Sequence, residues 1–345
     1  MANGTTVAAS VYYSDTTTYT GNAGSKTNPY CIEDLYDLIK NPRINTKPTS
    51  EDLYYYYIVV NDIDMNDYVD YKYSPPANIL LYFTKMDFKN HELRNITIYN
   101  NSTNNIFNVR GHSTPTSIHN LKLTNCISYN SSVTIFAMNN DVASCKFYFH
   151  NCDFSIYADT SSTGINIIGL ILKSFNRTAA SPYYVYCYNC IFNIKASLNY
   201  DSDKGNIIND NKLYMYYCHI HLYIIKNLYT LISGIGTFTS SYITGDIYGS
   251  TCWDNSLITY DYNVMSKLTN SYVNVNFHNT TPGNPTHIYG YSRSSNASCG
   301  SAFFINKSKL EGFTACPANT ANYYELTDEE CKDANKLRAI GFLAL

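Results

Sequence analysis

The chain has 345 residues, with 24 Lys and Arg against 27 Asp and Glu, a formal charge of −3 and only 15% charged residues. That balance lacks the basic footprint on which phosphate binding depends, so nucleic acid is not an expected partner. At 45% hydrophobic residues the chain can bury a large core, which excludes wholesale disorder. It carries 36 Tyr against a single Trp, is rich in Asn, and has no Glu between Glu92 and Glu311. Tyr packs on pleated surfaces, Asn tolerates tight corners and Glu is a strong helix former, so this skew predicts an all-β protein.

Residues 1–27 contain mostly Thr, Gly, Asn and Ser, with no basic n-region and no apolar h-region. They read as an attachment arm, and no Sec signal is expected. No run anywhere approaches the roughly 20 apolar residues of a membrane span, so no membrane partner is expected. Residues 28–75 form an expected N-terminal cap. Within it, PYCIEDLYDLIK at 29–40 places Ile32, Leu35, Leu38 and Ile39 at helical spacing, with Asn28 as N-cap and Pro29 in the first turn. The arrangement Asp62-x-Asp64-x-Asn66 opens like a calcium loop. Asp67 stands where that loop needs Gly, however, and Tyr73 where it needs Glu. Alternation puts Ile63 and Met65 opposite the acids, as on any half-buried strand.

Residues 76–318 carry a repeat. Asn95-Ile96-Thr97-Ile98 and Asn120-Leu121-Lys122-Leu123 share a beat, and a sharper unit follows: NCDFSI at 151–156, NCIFNI at 189–194 and YCHIHL at 217–222. Degenerate copies are SSYITG at 240–245, NSYVNV at 270–275 and KSKLEG at 307–312. A constant strand core with variable gaps predicts the stacked coils of a parallel β-solenoid, with loops of different length leaving each coil. Period two points Cys190, Phe192 and Ile194 to one face and Ile191, Asn193 and Lys195 to the other. The small residues Cys126, Cys152, Cys190, Cys218, Ser241, Ser271 and Ser308 are expected to form a structural ladder inside the stack. Residues 319–345 close the chain, with a helix over 327–340 entered by a Thr327/Glu330 capping box and stopped by Gly341.

With CIEDLYDLI, the strand bearing Asn61-Asp62-Ile63-Asp64, MDFKNHELRNITI at 86–98 and LTDEECKDANKLRAIGF at 326–342, the chain resembles right-handed parallel β-helix proteins of the pectate-lyase-like type, particularly those of tailed-phage virions. The resemblance covers most of residues 28–342 and rests on architectural motifs. It implies a right-handed parallel β-helix with an N-terminal cap helix and a C-terminal helix. It also implies a place in the virion among capsid or tail proteins, and assembly as a homo-oligomer, the trimer being the usual state in that group. Members of that group serve as head fibres, decorations or tail spikes, and some cleave host surface glycan. The polygalacturonase signatures Asn-Thr-Asp, Asp-Asp, Gly-His-Gly and Arg-Ile-Lys are missing here; Gly111-His112 is the nearest fragment, and Ser113 follows it.

No catalytic residue and no cofactor is expected. Asp201, Asp203 and Asp210 cluster in a polar stretch that reads as a solvated loop or, alternatively, as a glycan contact. Cys187-x-x-Cys190 is half a zinc site without a second half, and buried thiols explain it as well. His219-x-His221 points two imidazoles outward from one strand. Three chains meeting on an axis would offer six nitrogens to a metal ion, and ordinary strand composition gives the same pair. Outward Tyr, as in YYYY at 54–57 and YYVYCY at 183–188, suits either a protein interface or sugar stacking. The function expected is that of a structural virion protein, a capsid decoration or head fibre contacting host glycan, with a glycan-binding or glycan-cleaving tail appendage as the alternative.

Overall fold

A computed structural model of the chain describes residues 24–40, 42–49, 55–67, 79–99, 106–111, 115–129, 135–140, 145–160, 168–174, 184–198, 206–226, 230–248, 259–260, 267–269, 271–278, 303–306, 323–327 and 329–339. Among these residues nearly all regular structure is strand, in one sheet of 13 strands and one of 11, and every strand pairing is parallel. Parallel neighbours cannot be joined by a hairpin, so the chain leaves each sheet and returns to it before the next pairing. The arrangement is all-β and compatible with a parallel β-helix.

Three strand positions recur along the sequence. Phe107–Gly111, Thr116–His119 and Lys122–Tyr129 are followed by Phe136–Asn140, Lys146–His150 and Asp153–Thr160, then by Ile168–Ser174, Tyr184–Tyr188 and Ile191–Leu198. Asn206–Tyr216 and Thr230–Thr239 each run through the first two positions, and His219–Lys226 and Tyr242–Tyr248 take the third. The first two positions lie in the larger sheet and the third in the smaller. Each position pairs with its own kind: Asp153–Thr160 with Ile191–Leu198, that strand with His219–Lys226, and that one with Tyr242–Tyr248.

Alternation turns one face of each strand into core. Cys190, Phe192 and Ile194 are buried, whereas Ile191 between them is 41% exposed. In-register pairing then stacks like on like: Phe154 lies 5.0 Å from Phe192 with rings 13° from parallel, and Phe107 lies 5.5 Å from Phe136. A single hydrophobic cluster runs from Tyr30 to Val275. Burying a large aromatic side chain contributes roughly 1.5–3 kcal/mol, so this column dominates the favourable side of folding.

The corner between the second and third strands needs a left-handed residue. Asn120, Asn151 and Asn189 take it with φ of 54°, 54° and 52°. Their amides also join: Asn120 donates to Asp87 at 2.8 Å, Asn151 to Asn120 at 3.2 Å and Asn189 to Asn151 at 3.3 Å. Asn suits the place because it tolerates that conformation and its side chain can both donate and accept. Tyr217 and Ser240 take the same corner, with φ of 57° and 48°. There the side-chain ladder stops and the backbone strain remains.

Several expectations need correction. Residues 29–40 are not one helix: Tyr30–Ile32 is a strand paired with Tyr55–Val59, and the helix Leu35–Lys40 starts only after Asp34, whose carboxylate accepts the Asp37 N–H at 2.9 Å. Within the segment read as the arm, Gly24 is buried and its carbonyl accepts the Tyr56 N–H at 2.9 Å. At the other end the capping-box bonds are present, Thr327 Oγ1 accepting the Glu330 N–H at 3.2 Å and Glu330 the Thr327 N–H at 3.0 Å. The helix itself is split into a 3₁₀ turn at Glu330–Lys332 and an α-helix at Ala334–Ala339, because Asp333 is extended and caps the second piece. Ile340 and Gly341 lie outside the described residues.

Candidate functional site

Strands Lys146–His150 and Tyr184–Tyr188 and the segment Leu213–Tyr216 send Phe147, Phe149, Val185, Cys187, Leu213 and Met215 inward. Their other faces carry rings in two columns. Tyr148, Tyr186 and Tyr214 stack at 4.8 and 4.9 Å, and His119, His150, Tyr188 and Tyr216 at 4.6, 5.0 and 4.9 Å. Neighbouring rings within a column lie within 18° of parallel. Residues on one face of parallel strands repeat at the strand spacing of about 4.8 Å, which is nearly the preferred separation of offset aromatic rings. This half-buried face is the most extended aromatic surface among the described residues.

The stacking decides what the face can do. A sugar binds an aromatic side chain over a free ring face, but here the faces within each column are covered by the next ring. The surface presents ring edges and polar ends, an arrangement suited to a flat macromolecular contact. Its end is electrically neutral at ordinary pH. Burial, with the nearby Lys85 and His150, pulls the His119 pKa down to about 3, and Asp87 opposes this only in part. The His119 ring also bonds Ser117 Oγ at 3.0 Å. Burial lowers His150 too. Asp87 stays a carboxylate: burial works against its charge, but the Asn120 amide, the Lys89 N–H and the Lys85 and Lys89 ammonium groups at 3.6 Å outweigh it.

The small-residue column has the following placement. Leu121, Cys152, Cys190, Cys218 and Ser241 follow one another through backbone bonds of 2.8–2.9 Å from the next residue of each repeat, and Tyr272 N–H brings Ser271 into the series. Cys152, Cys190, Cys218, Ser241 and Ser271 are all buried. Their side chains bond backbone groups: Cys218 Sγ meets Cys187 O at 3.4 Å, Ser241 Oγ donates to Thr239 O at 3.0 Å, and Ser271 Oγ accepts the Ser241 N–H at 3.2 Å. Cys126 is also buried but stands apart, pairing with Ile156 because an extra residue, left-handed Asn125, bulges its strand. Ser308 lies outside the described residues. The strand that pairs with Ser271–Val273 is Phe303–Ile305, and KSKLEG at 307–312 lies outside the described residues. Burial pushes the Cys126, Cys152, Cys187 and Cys218 thiols well up, and these four, with Cys31, Cys145 and Cys190, are free thiols.

The metal candidates are engaged otherwise. His219 Nε2 and His221 Nδ1 share one hydroxyl, Thr244 Oγ1, at 2.9 and 3.0 Å, and the His219 ring stacks on Tyr242 at 4.0 Å. Burial holds the His219 pKa down at about 4. Asp62 accepts the Glu92 N–H at 2.9 Å and meets His91 at 3.2 Å, while Asp64 meets Arg94 Nε at 3.2 Å and the Asn95 amide at 2.8 Å. Among the described residues no group of three or more His, Cys, Asp or Glu is placed to hold a metal ion. Asp201 and Asp203 lie outside the described residues, and Asp210 sits in the strand Asn206–Tyr216, so it is not on a loop.

One carboxylate escaped the sequence reading as a chemical group. Asp153 opens its strand facing outward, half-buried, with Asn193 Nδ2 at 3.3 Å, and burial raises its pKa. Its signal, an acid between an inward Cys and an inward Phe, was visible only as alternation. Compared with protein-family models, with curated proteins and with solved structures, the chain finds no match.

Proposed function

We propose that the chain is a right-handed parallel β-helix serving as a structural virion protein of a tailed phage, attached to the capsid as a decoration or head fibre. The observation that carries this reading is the pair of stacked aromatic columns on an all-parallel scaffold: a rigid, flat, half-buried face made of ring edges suits a macromolecular contact. Further support comes from the ionisable groups, since Asp62, Asp64, Asp87, His219 and His221 are all occupied by neighbours within the stack. The phage assignment rests on the resemblance of the cap, rung and closing motifs. On this reading residues 1–23 are the docking arm and the partners are other virion proteins, with homo-oligomerisation along the scaffold. Deleting residues 2–23 leaves Gly24 in place to bond Tyr56. The truncated chain is expected to fold with an unchanged β-type circular dichroism spectrum and to be missing from particles; normal incorporation would refute the arm.

The alternative is a tail appendage that binds or depolymerises host polysaccharide. Asp153 is the observation in its favour, because a half-buried carboxyl with a raised pKa is a fit proton donor to a leaving oxygen. Release of sugar from host capsule, lost in Asp153→Asn, would establish it; no release by the native chain would remove it.

A further inference from the structure

The two Tyr columns hold successive rings side by side and nearly parallel. Tyr148 and Tyr186 are 4.8 Å apart at 13°, Tyr186 and Tyr214 4.9 Å at 14°, and Tyr188 and Tyr216 4.9 Å at 8°. The strands beneath are parallel and in register, Tyr148 opposite Tyr186 and Tyr186 opposite Tyr214, so each phenol ring has the ring one strand away as its neighbour. Each ring is half-buried, open to a small oxidant along its edge but held in its column. Preorganisation of this kind replaces a bimolecular encounter by a neighbouring-group reaction.

We propose that these columns are an oxidative modification site, at which peroxide-driven one-electron oxidation joins Tyr148 to Tyr186, Tyr186 to Tyr214 and Tyr188 to Tyr216 as dityrosine, each residue entering one link at a time. Each phenol gives up one electron and its hydroxyl proton to become a phenoxyl radical. Two such radicals form one carbon–carbon bond between ortho carbons, and the two ring hydrogens displaced from those carbons return to the oxygens as the phenols are restored. The net loss of two hydrogens is taken up by hydrogen peroxide, which becomes two waters on a haem peroxidase. The product is a covalent staple between strands 38 or 28 residues apart in sequence, as Tyr148 is from Tyr186 and Tyr186 from Tyr214. Links of this kind resist unfolding where a half-buried surface alone does not.

The test uses the full chain treated with hydrogen peroxide and a haem peroxidase, read by dityrosine fluorescence and by mass spectrometry of cross-linked peptides. Intrachain links joining the peptide of Tyr148 to that of Tyr186, and the latter to the peptide of Tyr214 and Tyr216, are the expected result. Tyr186→Phe keeps the ring and its stacking, so it should abolish the first link and leave the one between Tyr188 and Tyr216. The same treatment in concentrated denaturant should scatter the links among many tyrosines. Three outcomes would each overturn the proposal. One is oxidation of exposed Tyr217 without links in the columns, another is links formed only between chains, and the third is a pattern unchanged by denaturant.

Discussion

Acidification is expected to weaken the fold through His119 at pH values where most carboxylates are still charged. The ring is buried against His150 at 4.6 Å and its folded pKa lies at about 3, against 6.5 for an ordinary imidazole. The unfolded chain therefore takes up a proton as the pH falls through 6.5, and the folded chain does not until about 3. A depressed histidine pKa contributes stability that is complete above the unfolded value and is lost progressively below it. Between pH 7 and pH 5 that loss amounts to about 2 kcal/mol for this one side chain, at 1.36 kcal/mol per pH unit over roughly one and a half effective units. The assay is urea unfolding followed by circular dichroism at pH 7 and pH 5, with and without His119→Gln. Gln cannot titrate and can still reach Ser117. His219, whose pKa is also lowered, acts equally in both proteins and cancels, and His150, stacked on His119, is held constant by a His150→Gln background in both. The chain that keeps His119 should lose about 2 kcal/mol more than the variant between the two pH values. Equal losses would refute the burial argument, as would a larger loss in His119→Gln.

Other expectations follow from the corners and the core. Tyr217→Asn relieves a left-handed tyrosine whose side chain is 53% exposed, and should raise stability by about 1 kcal/mol in the same urea assay. Gly245 has φ 132° and a Cβ there would fall on the Leu222 backbone carbonyl of the paired strand, so Gly245→Ala should lower the unfolding midpoint more than any alanine substitution on an exposed strand face. Phe192→Ala empties the centre of the ring stack with Phe154 and should cost about 3–5 kcal/mol by chemical denaturation. Purified protein analysed for transition metals should show none retained through His219 and His221, because Thr244 already holds both rings; a stoichiometric metal lost in the double alanine variant would overturn that assignment.

The repeat was legible where a short rule governs a residue. Period two assigned Cys190, Phe192 and Ile194 to the core, and the Asn-Cys pairs at 151–152 and 189–190 marked the corner, because few residues accept a left-handed backbone there. Elements governed by distant pairing were not legible. Tyr30–Ile32 reads as helix from its own neighbours and becomes a strand only because Tyr55–Val59 lies beside it. Phe303–Asn306 was not singled out as a strand, and only its pairing with Ser271–Val273 marks it as one. The aromatic face was half visible. Alternation shows that Tyr184, Tyr186 and Tyr188 point outward, but which ring covers which depends on register across gaps of 28 and 38 residues, as from Tyr186 to Tyr214 and from Tyr148 to Tyr186. That register is what makes the outward Tyr, which suited either an interface or sugar stacking, a surface of edges. The bulge at Asn125 was likewise hidden; it turns Cys126 inward opposite Ile156, while Leu121 holds the place in the small-residue column.

Immunogold labelling of intact particles with antibody against this chain tests the central claim most directly. Gold over the capsid, lost when residues 2–23 are deleted, is the result expected of a decoration or head fibre. Gold confined to the tail, or particles left unlabelled, would contradict it.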